Sequence, residues 1–431
     1  MTTVTDATVT DLRFPTSREL DGSDAMNPDP DYSAAYLRLA TSDAESAGHG
    51  FVFTIGRGND IQAAAVEAVA RRLVGRDVDG LVEDPGAVNR DLMWDSQLRW
   101  LGPDKGVMHM AIGAVMSATW DLRARREGRP LWSTLAALEP AELVALVDWT
   151  YIADYLDPGR AREILEERRP LRDARIAGLR RDGLAAYTTS PGWLGYSDEK
   201  LVRLCREAVA DGFTTIKLKV GADTGDDRRR LGLAREAVGP DVALAVDANQ
   251  HWSVPEAIAA ITELRDFGLR WVEEPTHPDD VVGHATIANA VRPVPIATGE
   301  MLASPTLAKQ LLQLGGVQIL QIDATRMGGP HDLLAAILMA TGAGVEVIPH
   351  AGGVGLCEAV QHYAFFNAVC VAADTRDLSL EYVAHLHEHL TDPVEITNGR
   401  YRLPTRPGAS TEFQPGTELT FGYPDGTEWA G

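Results

Sequence analysis

Seven short segments in the second half of the chain each end an apolar run on a residue able to do chemistry: Lys219, Asp247, Glu273, Glu300, Asp323, His350 and Glu381. Their successive spacings are 28, 26, 27, 23, 27 and 31 residues, the length of one strand-plus-helix unit. Side chains at the ends of consecutive parallel strands converge on one mouth of a barrel. Asp247, Glu273 and Glu300 then face a single centre, where three carboxylates repel one another unless a cation lies between them. A hard divalent ion such as Mg2+ resolves this, because it takes oxygen ligands and keeps positions for water or substrate oxygens.

Lys217 and Lys219 are two residues apart on one predicted strand, so their side chains share a face. Beside a metal and its acids, such lysines balance charge, and a nearby cation lowers a lysine pKa towards the range of a general base. Asp323 and His350 fall one unit apart. A carboxylate bonded to one imidazole nitrogen fixes the tautomer and favours the imidazolium, which makes His350 a credible acid or base. The backbone after it, Ala351-Gly352-Gly353, is flexible. Taken singly, each of these residues also suits a surface, capping or structural position; their even joint placement selects the chemistry.

The elements that must hold these groups are legible as alternation. Ala185–Thr189 reads as a first barrel strand and Ser197–Ala210 as the helix after it. Helices follow at Pro255–Arg265, Asp279–Val291, Ser304–Leu314, Gly329–Gly342 and Gly355–Ala368, as a parallel sheet wrapped in helices requires. Ahead of the barrel, Val9–Leu12, Ala34–Leu39 and Phe51–Thr54 read as a small antiparallel sheet. Ile61–Leu73 and Val107–Arg126 read as helices, the latter with Met108, Ile112, Val115, Met116 and Trp120 on a core face. Pro15–Tyr32, rich in proline and short polar residues, is a long loop of the kind that serves as a lid. Glu142–Tyr151 reads as extended and Pro158–Arg181 as one long helix. The tail, Ile396–Phe421, carries turn signals and is expected to return to the first domain. The fold class is α/β: a modified TIM barrel, (β/α)7β, over residues 146–390, with an α+β capping domain over 1–145 completed by 391–431.

Composition narrows the class. The 431 residues include 62 acidic against 40 basic ones, a formal charge of -22, which opposes a phosphate-backbone partner, so no nucleic acid is expected. With 45% hydrophobic and 24% charged residues the chain carries a sizeable core. Cys205, Cys357 and Cys370 lack metal-ligand spacing. No stretch reaches the apolar length of a membrane span and the first residues are not a signal segment, so a cytoplasmic protein without a membrane partner is expected. Gly56-Arg57-Gly58 lacks the remaining glycine and the context of a nucleotide loop.

Together, Lys217-Leu218-Lys219, the Asp247/Glu273/Glu300 triplet and the Asp323 and His350 pair resemble the mandelate racemase subgroup of the enolase superfamily. The helix ending in Asp121-Leu122-Arg123 before Gly128-Arg129-Pro130-Leu131-Trp132 is similar to that family's capping domain. Two segments, Gly22 to Tyr36 and Tyr187 to Tyr196, resemble L-fuconate dehydratases. The resemblance implies a homo-oligomer that binds a small acid sugar on Mg2+ held by Asp247, Glu273 and Glu300. It implies that Lys219 removes the C2 proton, that Lys217 supports the substrate carboxylate, and that His350, oriented by Asp323, protonates the departing 3-hydroxyl. Substrate contacts are implied for Gly22, Ser23, Asp24 and Tyr32 of the lid, and for Lys217, Asn249, Glu300, His350, Ala351, Gly352 and Glu381 of the barrel. The same residues also permit a racemase or epimerase, or a dehydratase of galactonate or arabinonate, and more remotely a barrel that only binds acid sugars.

Overall fold

Three segments pair as an antiparallel meander, β1 (Val4–Arg13), β2 (Ser33–Thr41) and β3 (Ala47–Thr54), of which β2 and β3 are buried almost throughout. The computed structural model describes residues 2–43, 46–102 and 104–430. The helix Gly106–Arg126 lies directly across β3. That approach needs glycine: a Cβ at Gly48 would sit 2.2 Å from the Ala118 carbonyl oxygen. Ile112, Val115, Met116 and Trp120 are buried on this helix, as its periodicity predicts, whereas Met108 is only partly so.

Two expectations between cap and barrel are corrected. Residues 142–151 are not extended: Pro140–Leu146 is a helix, followed by turns. Pro140 occupies its first turn, and Glu139 and Glu142 satisfy each other's backbone N–H groups in a capping box, local signals that outweigh the apolar run. The segment 158–181 is two helices, Pro158–Arg168 and Arg172–Asp182, because Pro170 interrupts the ladder between them.

The barrel strands are β4 (Leu184–Gly192), β5 (Thr215–Lys219), β6 (Ala243–Asp247), β7 (Val272–Glu273), β8 (Ile296–Thr298), β9 (Ile319–Leu320), β10 (Glu346–Val347) and β11 (Ser379–Tyr382). They pair in parallel in chain order, with β11 beside β4, and the Glu381 N–H reaches the Pro349 carbonyl at 3.4 Å to complete the circle. Helices Asp198–Ala210, Thr224–Val238, Val254–Leu264, Val281–Ala290, Pro305–Gln313, Pro330–Gly342 and Leu356–Phe366 separate the strands, giving the expected (β/α)7β order. Thr224–Val238, which sequence reasoning passes over, hides behind a polar first turn but is capped by Asp223.

Tyr187, Ala245, Trp271, Ala297, Ile319 and Ile348 fill the barrel interior as a separate buried cluster. In the tail, β12 (Arg400–Tyr401) pairs antiparallel with β4, Leu131 N–H bonds the Gly408 carbonyl, and Tyr423 N–H bonds the Asp11 carbonyl. Among the described residues no helix is long and apolar enough to cross a membrane.

Candidate active site

Strand register brings the chemical residues side by side. Lys219 pairs with Asp247 across β5 and β6, and Asp247 with Glu273 across β6 and β7. One carboxylate oxygen from each of Asp247, Glu273 and Glu300 lies within 4.8 Å of the other two. Lys217, wholly buried, reaches Glu273 at 2.5 Å, Glu381 at 3.0 Å and Asp247 at 3.4 Å. Lys219 donates to Asp247 at 2.6 Å and stands 5.5 Å from the centre of the Trp193 ring. His350 Nδ1 is 2.8 Å from Asp323, while its Nε2 points inward, 3.6 Å from Glu300 and 3.8 Å from Glu381.

The charges at this mouth do not cancel among themselves. Counted as fully ionised, Asp247, Glu273, Glu300, Asp323 and Glu381 exceed the two ammonium groups and one imidazolium they face by two negative charges. One divalent cation carries the balance. Burial, reinforced by Asp247 and other acids and only partly relieved by Lys217, pushes the Glu273 carboxyl up to about 8. Burial would also raise Glu381, but Lys217, His350 and the Ala351 N–H hold it far below the usual range. For His350 burial favours the neutral ring, yet Glu300, the Asp323 hydrogen bond and Glu381 outweigh it and lift the imidazole to about 9. Lys219 is raised likewise: burial opposes its charge, and Asp247 more than compensates. A buried oxygen of Glu300, Oε2, has no hydrogen-bond donor among the described residues. Hard oxygen donors, an unsatisfied carboxylate oxygen and a charge deficit of two fit Mg2+.

Residues that sequence reasoning missed hold this cluster in place. Glu273 accepts from Gln321 Nε2 at 2.6 Å and from Trp271 Nε1 at 3.1 Å. Asp323 accepts from both the N–H and the hydroxyl of Thr325 at 2.6 and 3.0 Å, which leaves its other oxygen for His350. Thr189 donates to Glu381. Gln321 and Trp271 were legible in principle, since they precede Asp323 and Glu273 by two positions and so share their faces; Thr189 needed the strand pairing.

Above the mouth lies a cavity of about 440 Å³, within the range of small-molecule sites. Gly22, Asp24, Tyr32, Lys219, Asn249, Glu300, Asp323, His350, Gly352 and Glu381 line it. The loop 15–32 thus lies over the barrel. Asp24 shapes it by accepting from the N–H groups of Met26 and Asn27 at 2.7 and 2.6 Å. At Gly22, φ is +82° and a Cβ would come within 2.5 Å of the Tyr32 hydroxyl, so glycine alone fits against that ring. Ser23, Lys217 and Ala351 do not line the cavity. Ser23 instead bonds the Leu20 carbonyl and the Gly195 N–H, tying the loop to the segment after β4, and Ala351 donates its N–H to Glu381. A second hollow of equal volume at the other barrel end, among Arg270, Glu346 and Ser379, lacks strand-end acids of this kind.

Comparison with known proteins agrees with this architecture. Residues 200–417 match the Enolase C-terminal domain-like family, and residues 27–135 the Mandelate racemase / muconate lactonizing enzyme N-terminal domain. The chain belongs to the enolase superfamily. Within that superfamily it is 46% identical over 425 residues to mitochondrial enolase superfamily member 1 of Homo sapiens, covering 98% of this chain and 96% of that protein. The crystal structure of the human protein matches with a TM-score of 0.97 at 45% identity, over 99% of this chain and 98% of that one. L-galactonate dehydratase of Hypocrea jecorina is 46% identical over 434 residues, covering 99% of this chain and 96% of that protein. L-talarate dehydratase from Polaromonas sp. JS666, solved with Mg and L-glucarate, matches with a TM-score of 0.73 at 26% identity over 97% of both chains.

Proposed function

We propose that this superfamily member is a Mg2+-dependent acid-sugar dehydratase whose substrate is L-fuconate. The observation that carries the reading is the facing of Lys219 and His350 onto one cavity whose floor lacks two positive charges. Asp247, Glu273 and Glu300 would hold the ion, which supplies positive charge beside the substrate carboxylate.

Lys219 is the base. It keeps its proton while Asp247 is its partner and becomes able to take one when that carboxylate is engaged elsewhere. Removal of the C2 proton leaves its electron pair delocalised towards the substrate carboxylate, whose charge Lys217 supports from below. His350, held protonated by its acidic neighbours, gives a proton to the 3-hydroxyl as the C3–O bond breaks. Water leaves, a C2–C3 double bond forms, and the enol becomes a 2-keto-3-deoxy acid. Trp193 and the loop 15–32 limit water access to the reacting carbons.

L-fuconate is the 6-deoxy form of L-galactonate, the acid named for the Hypocrea jecorina relative. The apolar side chains of Met26 and Phe53 on the cap side of the cavity support a methyl rather than a hydroxymethyl terminus. Incubating the protein with a panel of acid sugars, with Mg2+ and with chelator, tests the reading. Mg2+-dependent 2-keto acid formation from L-fuconate is expected. Preference for L-galactonate would move the substrate by one hydroxyl, and exchange of the C2 proton without water loss would identify an epimerase.

A further inference from the structure

Gln62 is 2% exposed, sits in the first turns of the cap helix Asn59–Ala70, and is part of the cap's contribution to the cavity lining. Its Nε2 donates to the Val107 carbonyl at 3.0 Å. A carbonyl can only accept, so this bond fixes which end of the amide carries the nitrogen and leaves Oε1 as the free atom. That Oε1 is buried and has no donor among the described residues. A buried acceptor without a donor is destabilising, so the ligand that fills the cavity is expected to bring the missing proton.

The chemistry of that missing group is constrained. A carboxylate would meet Oε1 as one acceptor against another, and a methyl would leave it unsatisfied. A hydroxyl satisfies it. Val107 and Met110 offer no side-chain donor, and neither Arg57 nor Arg326, the guanidinium groups that also line the cavity, donates to Gln62 Oε1; Arg326 gives one N–H to the Met110 sulfur. Because Lys219, Glu300 and His350 occupy the barrel side, the carbons that reach Gln62 are those beyond C3.

We infer that Gln62 is a specificity-determining residue that accepts a hydrogen bond from the C4 or C5 hydroxyl of the bound acid sugar. The inference rests on the acid-sugar reading above, yet binding measurements separate the two. In a Lys219→Ala protein, which holds ligand without turning it over, calorimetry with Mg2+ gives dissociation constants for L-fuconate, L-galactonate and the 4-deoxy and 5-deoxy forms of L-fuconate. Deleting the recognised hydroxyl is expected to weaken binding about tenfold while Gln62 is present. With Gln62→Met added, the parent acid should weaken by the same factor and the penalty for deleting the hydroxyl should vanish. Gln62→Leu serves as the second variant if the methionine protein does not fold.

An unchanged penalty in the variants, or equal weakening of all four acids, would overturn the role of Gln62, since a merely structural residue gives that pattern. Hydroxyl-dependent binding without 2-keto acid formation by the native protein would overturn the dehydratase reading and leave Gln62 standing. Product formation with an unaltered binding ratio would do the reverse, and absence of saturable binding by every acid would overturn both.

Discussion

Replacing Lys217 with methionine removes one ammonium group from the most crowded part of the barrel while nearly keeping its volume. The lysine is fully buried and contacts Glu273 at 2.5 Å, Glu381 at 3.0 Å and Asp247 at 3.4 Å. At an effective dielectric constant of about 20, one such pair at 3 Å attracts by roughly 5 kcal/mol, against a desolvation penalty of several kcal/mol per ion. Taking away one partner of a buried ionic set leaves the others uncompensated, which costs about 3–5 kcal/mol. For a chain of this length that corresponds to a fall in Tm of about 3–6 °C, read by thermal unfolding in chelator. The variant mouth then lacks three positive charges instead of two, so it should bind Mg2+ more tightly. Mg2+ is therefore expected to raise the Tm of the variant by more than that of the native protein. A Tm within about 2 °C of native in chelator, or equal Mg2+ shifts in both proteins, would refute the charge balance drawn for this site.

Three further outcomes are expected. Asp323→Asn replaces the carboxylate bonded to His350 Nδ1, and His350→Asn removes the acid itself; each should slow dehydration by about 10²–10⁴-fold while C2 proton exchange in D2O persists, measured by NMR. Gln321→Leu strips Glu273 of its 2.6 Å donor and should weaken Mg2+ binding about 10–100-fold in a calorimetric titration, with the fold intact by circular dichroism. His331 is buried against Trp120 with no hydrogen-bond partner for either ring nitrogen among the described residues, and burial holds it down at about 4. The unfolded chain binds this proton below about 6.5 and the folded chain only below about 4, so stability is lost as pH falls through that window. His331→Met should therefore gain about 2 kcal/mol relative to native between pH 7 and 4.5, by denaturant unfolding at both values; an unchanged difference between the two pH values would disprove it.

How far the molecule could be read in advance differs from place to place. The strand ends were legible because parallel β/α units have a narrow range of lengths, so a chemical residue in each of seven units falls at regular intervals. Lys217 and Lys219 were legible as a same-face pair because a strand alternates with period two. Glu142–Tyr151 was misread because an apolar run alone does not separate a short helix from a strand, and the deciding signal was the Glu139–Glu142 capping box. Ser23 was expected at the substrate but spends its hydroxyl on the Leu20 carbonyl and the Gly195 N–H, a pairing across more than 170 residues of chain.

Local periodicity and charge type are properties of the chain before it folds, and they suffice for the barrel, the order of its chemical residues and the need for a cation. Tertiary packing alone sets which of those residues face the cavity. It decided that Lys219 begins as the partner of Asp247, that five carboxylates outnumber their cations by two, and that Gln62 brings an unpaired acceptor down from the cap. Those facts depend on distances of about 3 Å between segments far apart in the chain, and in a buried mouth such distances set the protonation of every group.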